Sequence, residues 1–152
     1  MTKPTKLYHL VFLTLAFVFA IVYLFFLLKH SDSTFDINIH DIYFVIAYAH
    51  ILQVLALWFG LCGLGYYIVF RYGIRLFGLL FWLHLLYSLL FVFNPILSHF
   101  EPEPFIEHIE TIQLLETLRF IFLLAFPVGQ LVYFLNIFIS TLRKQKKSNL
   151  FG

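Results

Sequence analysis

LYHLVFLTLAFVFAIVYLFFLL, Leu7 to Leu28, decides the fold class, because no charged side chain interrupts it. A helix needs about 20 residues, at about 1.5 Å each, to cross about 30 Å of hydrocarbon. This run is that long. It exceeds the apolar region of a signal peptide and ends in no small-residue cleavage pattern, so it is expected to stay in the mature protein. Three further runs repeat the pattern: Ile42–Phe70, Leu76–Leu97 and Thr117–Leu142. None alternates apolar with polar residues as barrel strands do. The reading is an all-α integral membrane protein with four transmembrane helices in one bundle, spanning 7–28, 42–70, 76–97 and 117–142 of a single domain, 1–152.

Composition agrees. The chain is 62% hydrophobic and 12% charged, where a soluble domain carries about 25% charged residues. So few charges cannot cover a water-facing surface, and membrane lipid is the first partner. Charge placement sets the orientation. Lys3 and Lys6 precede the first run, Arg71 and Arg75 sit between the second and third, and Arg143, Lys144, Lys146 and Lys147 follow the fourth. With an even number of spans these three segments share one side. All the acids fall in or near the other two loops: Asp32, Asp36 and Asp41, then Glu101, Glu103, Glu107, Glu110 and Glu116. Both termini are therefore expected in the cytoplasm, and the chain in the inner (cytoplasmic) membrane of a bacterium.

The short Arg71–Arg75 connection makes the second and third helices antiparallel neighbours. Pro95, Pro102 and Pro104 argue against a continuous helix through the third loop. The basic tail RKQKKSN reads as a frayed positive-inside signal that touches anionic lipid. It gives no support to nucleic-acid binding. One cysteine, Cys62, leaves no internal disulfide and no four-cysteine metal site. No nucleophile–base–acid arrangement is visible, so hydrolytic chemistry has no support.

The seven histidines carry what chemistry there is. His9, His30, His40, His99 and His108 fall at helix ends or in loops, where a solvated or interfacial imidazole is the plain reading. His50 and His84 fall inside spans, where an ionisable residue is costly and faces the bundle interior. His50 follows Ile42 by eight residues, about 12 Å along a helix. His84 precedes Leu97 by thirteen, about 20 Å. A neutral imidazole at such depth can ligate haem iron or copper, or can bond a carbonyl or hydroxyl of a neighbouring helix. On the second run Ala49, Gln53, Ala56, Gly60 and Gly63 recur at helical spacing. Such small residues admit close helix packing, or a flat macrocycle lying on the face. Arg119 stands one turn from Glu116. It can pair with that carboxylate or hold the carboxylate of a cofactor.

DINIHDIYFVIAYAH, Asp36 to His50, resembles the central motif of subunit I of the haem-copper terminal oxidases, approximately D-I-x-x-H-D-T-Y-Y-V-V-A-H-F-H. FWLHLLYSLLFVFNP (Phe81–Pro95) looks like that family's penultimate helix, and VGQLVYFLNIFIS (Val128–Ser140) is similar to its last. The resemblance covers nearly this whole chain but only the C-terminal third or so of the family's subunit. It implies that His50 ligates a low-spin haem of b or a type. Tyr48 stands where the family has the histidine of the high-spin haem. His40 and Asp41 match the pair near the outer metal and proton-exit region, and His84 lies near a position that packs on the low-spin haem. The copper-binding histidines, the crosslinked tyrosine and the second axial ligand lie in helices that this sequence does not include. The paired arginines near the haem propionates are not evident.

What the resemblance implies is a small haem-binding membrane cytochrome. It would carry one electron at a time and would not reduce oxygen alone, so enzyme status stays open. Its second axial ligand would be His84 or, better, His50 of a twofold mate in a homodimer. Electron donors would be a quinol or cytochrome c, and other oxidase subunits are candidate partners. The alternative is a haem-free structural or assembly partner of a respiratory oxidase complex.

Overall fold

The computed structural model describes residues 7–29, 34–39, 42–97 and 109–150. Four helices and one strand pair lie among them, in the order α1 (Tyr8–Leu28), β1 (Thr34–Ile39), β2 (Ile42–Ala47), α2 (Tyr48–Arg71), α3 (Gly78–Leu97) and α4 (Ile109–Leu150). They form two compact units, Met1–Arg75 and Leu76–Gly152. Among the described residues, α1, α2 and the Glu110–Gln145 part of α4 are long and apolar enough to cross a membrane.

In the first unit α1 packs antiparallel to α2 through aromatic rings. Phe12, fully buried, meets Phe59 and Tyr66 with centroids 5.7 and 5.4 Å away, and Phe19 stacks on Phe59 at 5.3 Å. Two glycines of α2 let the backbones close in. A Cβ on Gly60 would meet Ala16 Cβ at 3.8 Å, an ordinary contact, whereas one on Gly63 would lie 2.9 Å from the Leu13 side chain and 3.1 Å from its backbone N. The small-residue face of α2 is thus filled by α1 at Gly60 and Gly63. It offers no open plane for a macrocycle there. Leu10, Phe17, Val18, Ile21, Leu24 and Phe25 of α1 are exposed, as lipid contact requires.

The second helix begins six residues later than the span expected from Ile42. Ile42–Ala47 pairs antiparallel with Thr34–Ile39, in a register that sets Phe35 opposite Ile46, Ile37 opposite Phe44 and Ile39 opposite Ile42. The cause is local: Ile42, Tyr43, Phe44, Val45 and Ile46 are all β-branched or aromatic, which favours the pleated chain. At its other end α2 stops at a Schellman motif. Gly73 takes φ 64°, its N–H donates to Phe70 O (2.9 Å), and the Ile74 N–H donates to Val69 O (3.1 Å). Glycine takes the left-handed conformation without a Cβ clash.

In the second unit α3 and α4 pack antiparallel. α3 runs from Gly78 through Pro95 to Leu97, and so ends where the expected 76–97 span ends. α4 runs for 42 residues, about 63 Å, which is about twice the hydrocarbon thickness. It exceeds the expected 117–142 at both ends, and the basic tail continues it as helix instead of fraying. Pro127 lies inside α4 and cannot donate to the Leu123 carbonyl.

Candidate functional site

The α3–α4 seam is polar where the α1–α2 seam is aromatic. Phe77, Phe81, His84 and Ser88 recur at four-, three- and four-residue steps on α3 and its N-cap, and Gly129, Tyr133, Asn136 and Ser140 do the same on α4. Each set therefore lies on one helix face. His84, Ser88, Asn136 and Ser140 are all buried, at 0%, 2%, 0% and 1% exposure.

Asn136 joins the two helices directly. Its Oδ1 accepts from Phe77 N–H at 3.0 Å, and its Nδ2 donates to Phe77 O at 3.3 Å. Ser140 Oγ donates to the same Oδ1 at 3.4 Å. Phe77 also accepts the first bond of α3, from Phe81 N–H at 3.0 Å, and so holds the N-cap position. In a capping box a Glu or Gln three residues on would answer the N-cap N–H. Here that position is Leu80, and Asn136 does the work from the other helix. Arg143 adds a cation–π contact, its guanidinium carbon 4.0 Å from the Phe77 ring centre.

One turn and more further into α3, the His84 imidazole lies 5.0 Å from the Tyr133 ring, centre to centre, at 42°. His84 Cδ2 is 3.8 Å from where a Cβ on Gly129 would be, and Tyr87 Cβ is 3.0 Å from it. The absent side chain at Gly129 is what lets α3 approach at this level. An axial ligand needs an open face beside its imidazole for the macrocycle, and His84 has no accessible surface. In this arrangement His84 does not fit as a haem ligand.

His50 is placed differently. With α2 starting at Tyr48 it is the third residue of the helix, about 3 Å from the helix start, not eight residues deep in a span. Its side chain is exposed. An accessible imidazole fits as a donor to a group shared with another chain. Tyr48, half-buried, is two residues away and so points to another side of the helix. Arg119 is half-buried on α4, ten residues before Gly129 and hence about 15 Å along the axis from the His84 level. His84 and Arg119 are therefore not brought together. His40 and Asp41 lie outside the described residues, as do His30, His99 and His108. Among the described residues no three His, Cys, Asp or Glu side chains cluster as a metal site would need.

His9, read from the sequence as interfacial, is buried at 6% exposure. It packs 4.9 Å from the Phe70 ring and 5.5 Å from that of Tyr67, and its Nδ1 has no hydrogen-bond partner among the described residues. Sequence reasoning also passed over Ser88, Gln130, Asn136 and Ser140. The available signal was their recurrence at helical spacing inside apolar runs, where a polar residue marks an internal face.

The chain matches no family model, no curated protein and no solved structure.

Proposed function

We propose that the chain is a small haem-binding membrane cytochrome related to subunit I of the haem-copper oxidases, with His50 as its iron ligand. The observation that supports the reading is the exposure of His50 at the end of the Asp36–His50 motif. Of the two histidines expected to bind, it alone offers an accessible imidazole. The enclosure of His84 favours a second axial ligand from outside the chain, and a twofold homodimer supplies one as the partner's His50. Haem of b or a type would contribute a one-electron Fe(III)/Fe(II) couple. The chain would contribute the imidazole nitrogen and an apolar surround, which tune the potential. Oxygen reduction is not proposed, since Tyr48 stands where the resembled family has the ligand of the high-spin haem. The basic segments favour cytoplasmic termini in a bacterial inner membrane, with a quinol or cytochrome c as donor.

The test is an optical spectrum of the detergent-purified protein, oxidised and then dithionite-reduced, with a pyridine hemochrome assay. The expected result is a Soret band with sharp α and β bands on reduction, at one haem per two chains. His50→Ala should abolish the bands and His84→Ala should leave them. Lack of a Soret band after haem is supplied overturns the reading.

A second reading is favoured by the closed packing of both hairpins, at Gly63 against Leu13 and at Gly129 against Tyr87. It is a haem-free structural or assembly partner of a larger respiratory oxidase. Under it, His50→Ala would lower the yield of co-purifying oxidase subunits and alter no spectrum.

A further inference from the structure

The second unit holds buried polar atoms that the described side chains leave unanswered. The Ser88 hydroxyl, in a residue 2% exposed, has no hydrogen-bond partner among the described residues. Neither Nε2 nor Oε1 of Gln130 is accessible, and neither has a partner there. The backbones of the two residues lie at one level of the hairpin. Ser88 N is 3.7 Å from the position of a Cβ on Gly129, and Gln130 is the next residue in the chain. They do not bond each other.

The chemistry of the set selects the occupant. A carboxamide presents N–H donors and a carbonyl acceptor, and a hydroxyl presents both functions. A metal cation would answer only the oxygens, and an anion only the donors. Water donates and accepts, and bonds two to four polar partners in buried sites. We infer that Ser88 and Gln130 bind internal water at the level of Gly129, inside the α3–α4 hairpin. Groups buried in a span must be satisfied internally, and this water does so. It also reaches His84, which is one turn before Ser88 on the same face and whose Cδ2 lies 3.8 Å from the same Cβ position. Tyr87 of α3 and Tyr133 of α4 are the other titratable side chains placed at this level among the described residues. The water gives a titratable imidazole within an apolar hairpin a route for exchanging its ring proton. The inference does not depend on haem at His50.

The experiment is water-edited solid-state NMR of the full chain, isotope-labelled and reconstituted in phosphatidylcholine bilayers. The probe is water itself. Magnetisation should pass from water to the Gln130 side-chain amide and to the His84 ring within milliseconds. Transfer to both should fall several-fold in Ser88→Val and in Gln130→Leu, while transfer to the exposed Arg143 stays unchanged. Where Ser88→Val impairs folding, Ser88→Ala serves. A dry seam overturns the inference: no transfer to Gln130 or His84 in the wild-type protein while Arg143 shows full transfer. So does transfer that neither variant alters.

Discussion

Asn136 bonds both backbone atoms of Phe77 across the second hairpin, and replacing it tests the seam directly. Asn136→Leu keeps the branched skeleton and removes the polar contacts. Two direct bonds to Phe77 are lost, at 3.0 and 3.3 Å. Interhelical hydrogen bonds in membranes average about 0.6 kcal/mol each, so this part comes to about 1 kcal/mol. The larger part is the orphaned Phe77 N–H, since an unsatisfied buried donor costs about 1–3 kcal/mol. The Phe77 carbonyl adds nothing, because Phe81 N–H still answers it at 3.0 Å. The sum is about 2–4 kcal/mol. Leu methyls are bulkier than amide atoms, so Asn136→Val serves as a smaller companion. Reversible unfolding in mixed phospholipid–SDS micelles, followed by Trp82 fluorescence in a Trp58→Phe background, measures the loss. Destabilisation below about 0.5 kcal/mol in both variants would refute the claim that Asn136 caps α3 from the other helix.

The two glycines of α2 should separate cleanly. Gly63→Ala forces a Cβ against the Leu13 backbone and should destabilise the first hairpin by about 1–3 kcal/mol, whereas Gly60→Ala has room and should change thermal stability little. Phe12→Ala removes a fully buried ring and should cost about 3–5 kcal/mol in the same unfolding assay. Cys62 is 3% exposed, so a small maleimide should label it only after SDS unfolding; rapid labelling of the folded protein would show that the α1–α2 seam opens. Reporter fusions at either end should both read as cytoplasmic, following the basic segments. Opposite locations for the two ends would point to an odd number of spans.

How much of this was legible in the sequence differs by element. Leu7–Leu28 announces its helix because length and unbroken apolarity are properties of the chain alone, and backbone groups in lipid have few ways to be satisfied. The end of α2 is legible in the short Arg71–Arg75 connection, and the left-handed turn of Gly73 that closes it is local. The start of α2 was not legible. Ile42–Ala47 is as apolar as the helix that follows, and hydropathy does not distinguish a strand from a helix. Pairing with Thr34–Ile39 decided it, and that shift moved His50 from the depth of a span to an exposed first turn. The candidate site follows the same division. Polar residues inside apolar runs, such as His84 and Asn136, can be listed from the sequence, since burying them is costly wherever they fold. Which of them meet is fixed by the antiparallel docking of α3 on α4. That docking sets Asn136 on Phe77 and encloses His84 against Tyr133, because a hydrogen bond needs its two partners within about 3 Å, and residues 59 positions apart in sequence come that close only through packing.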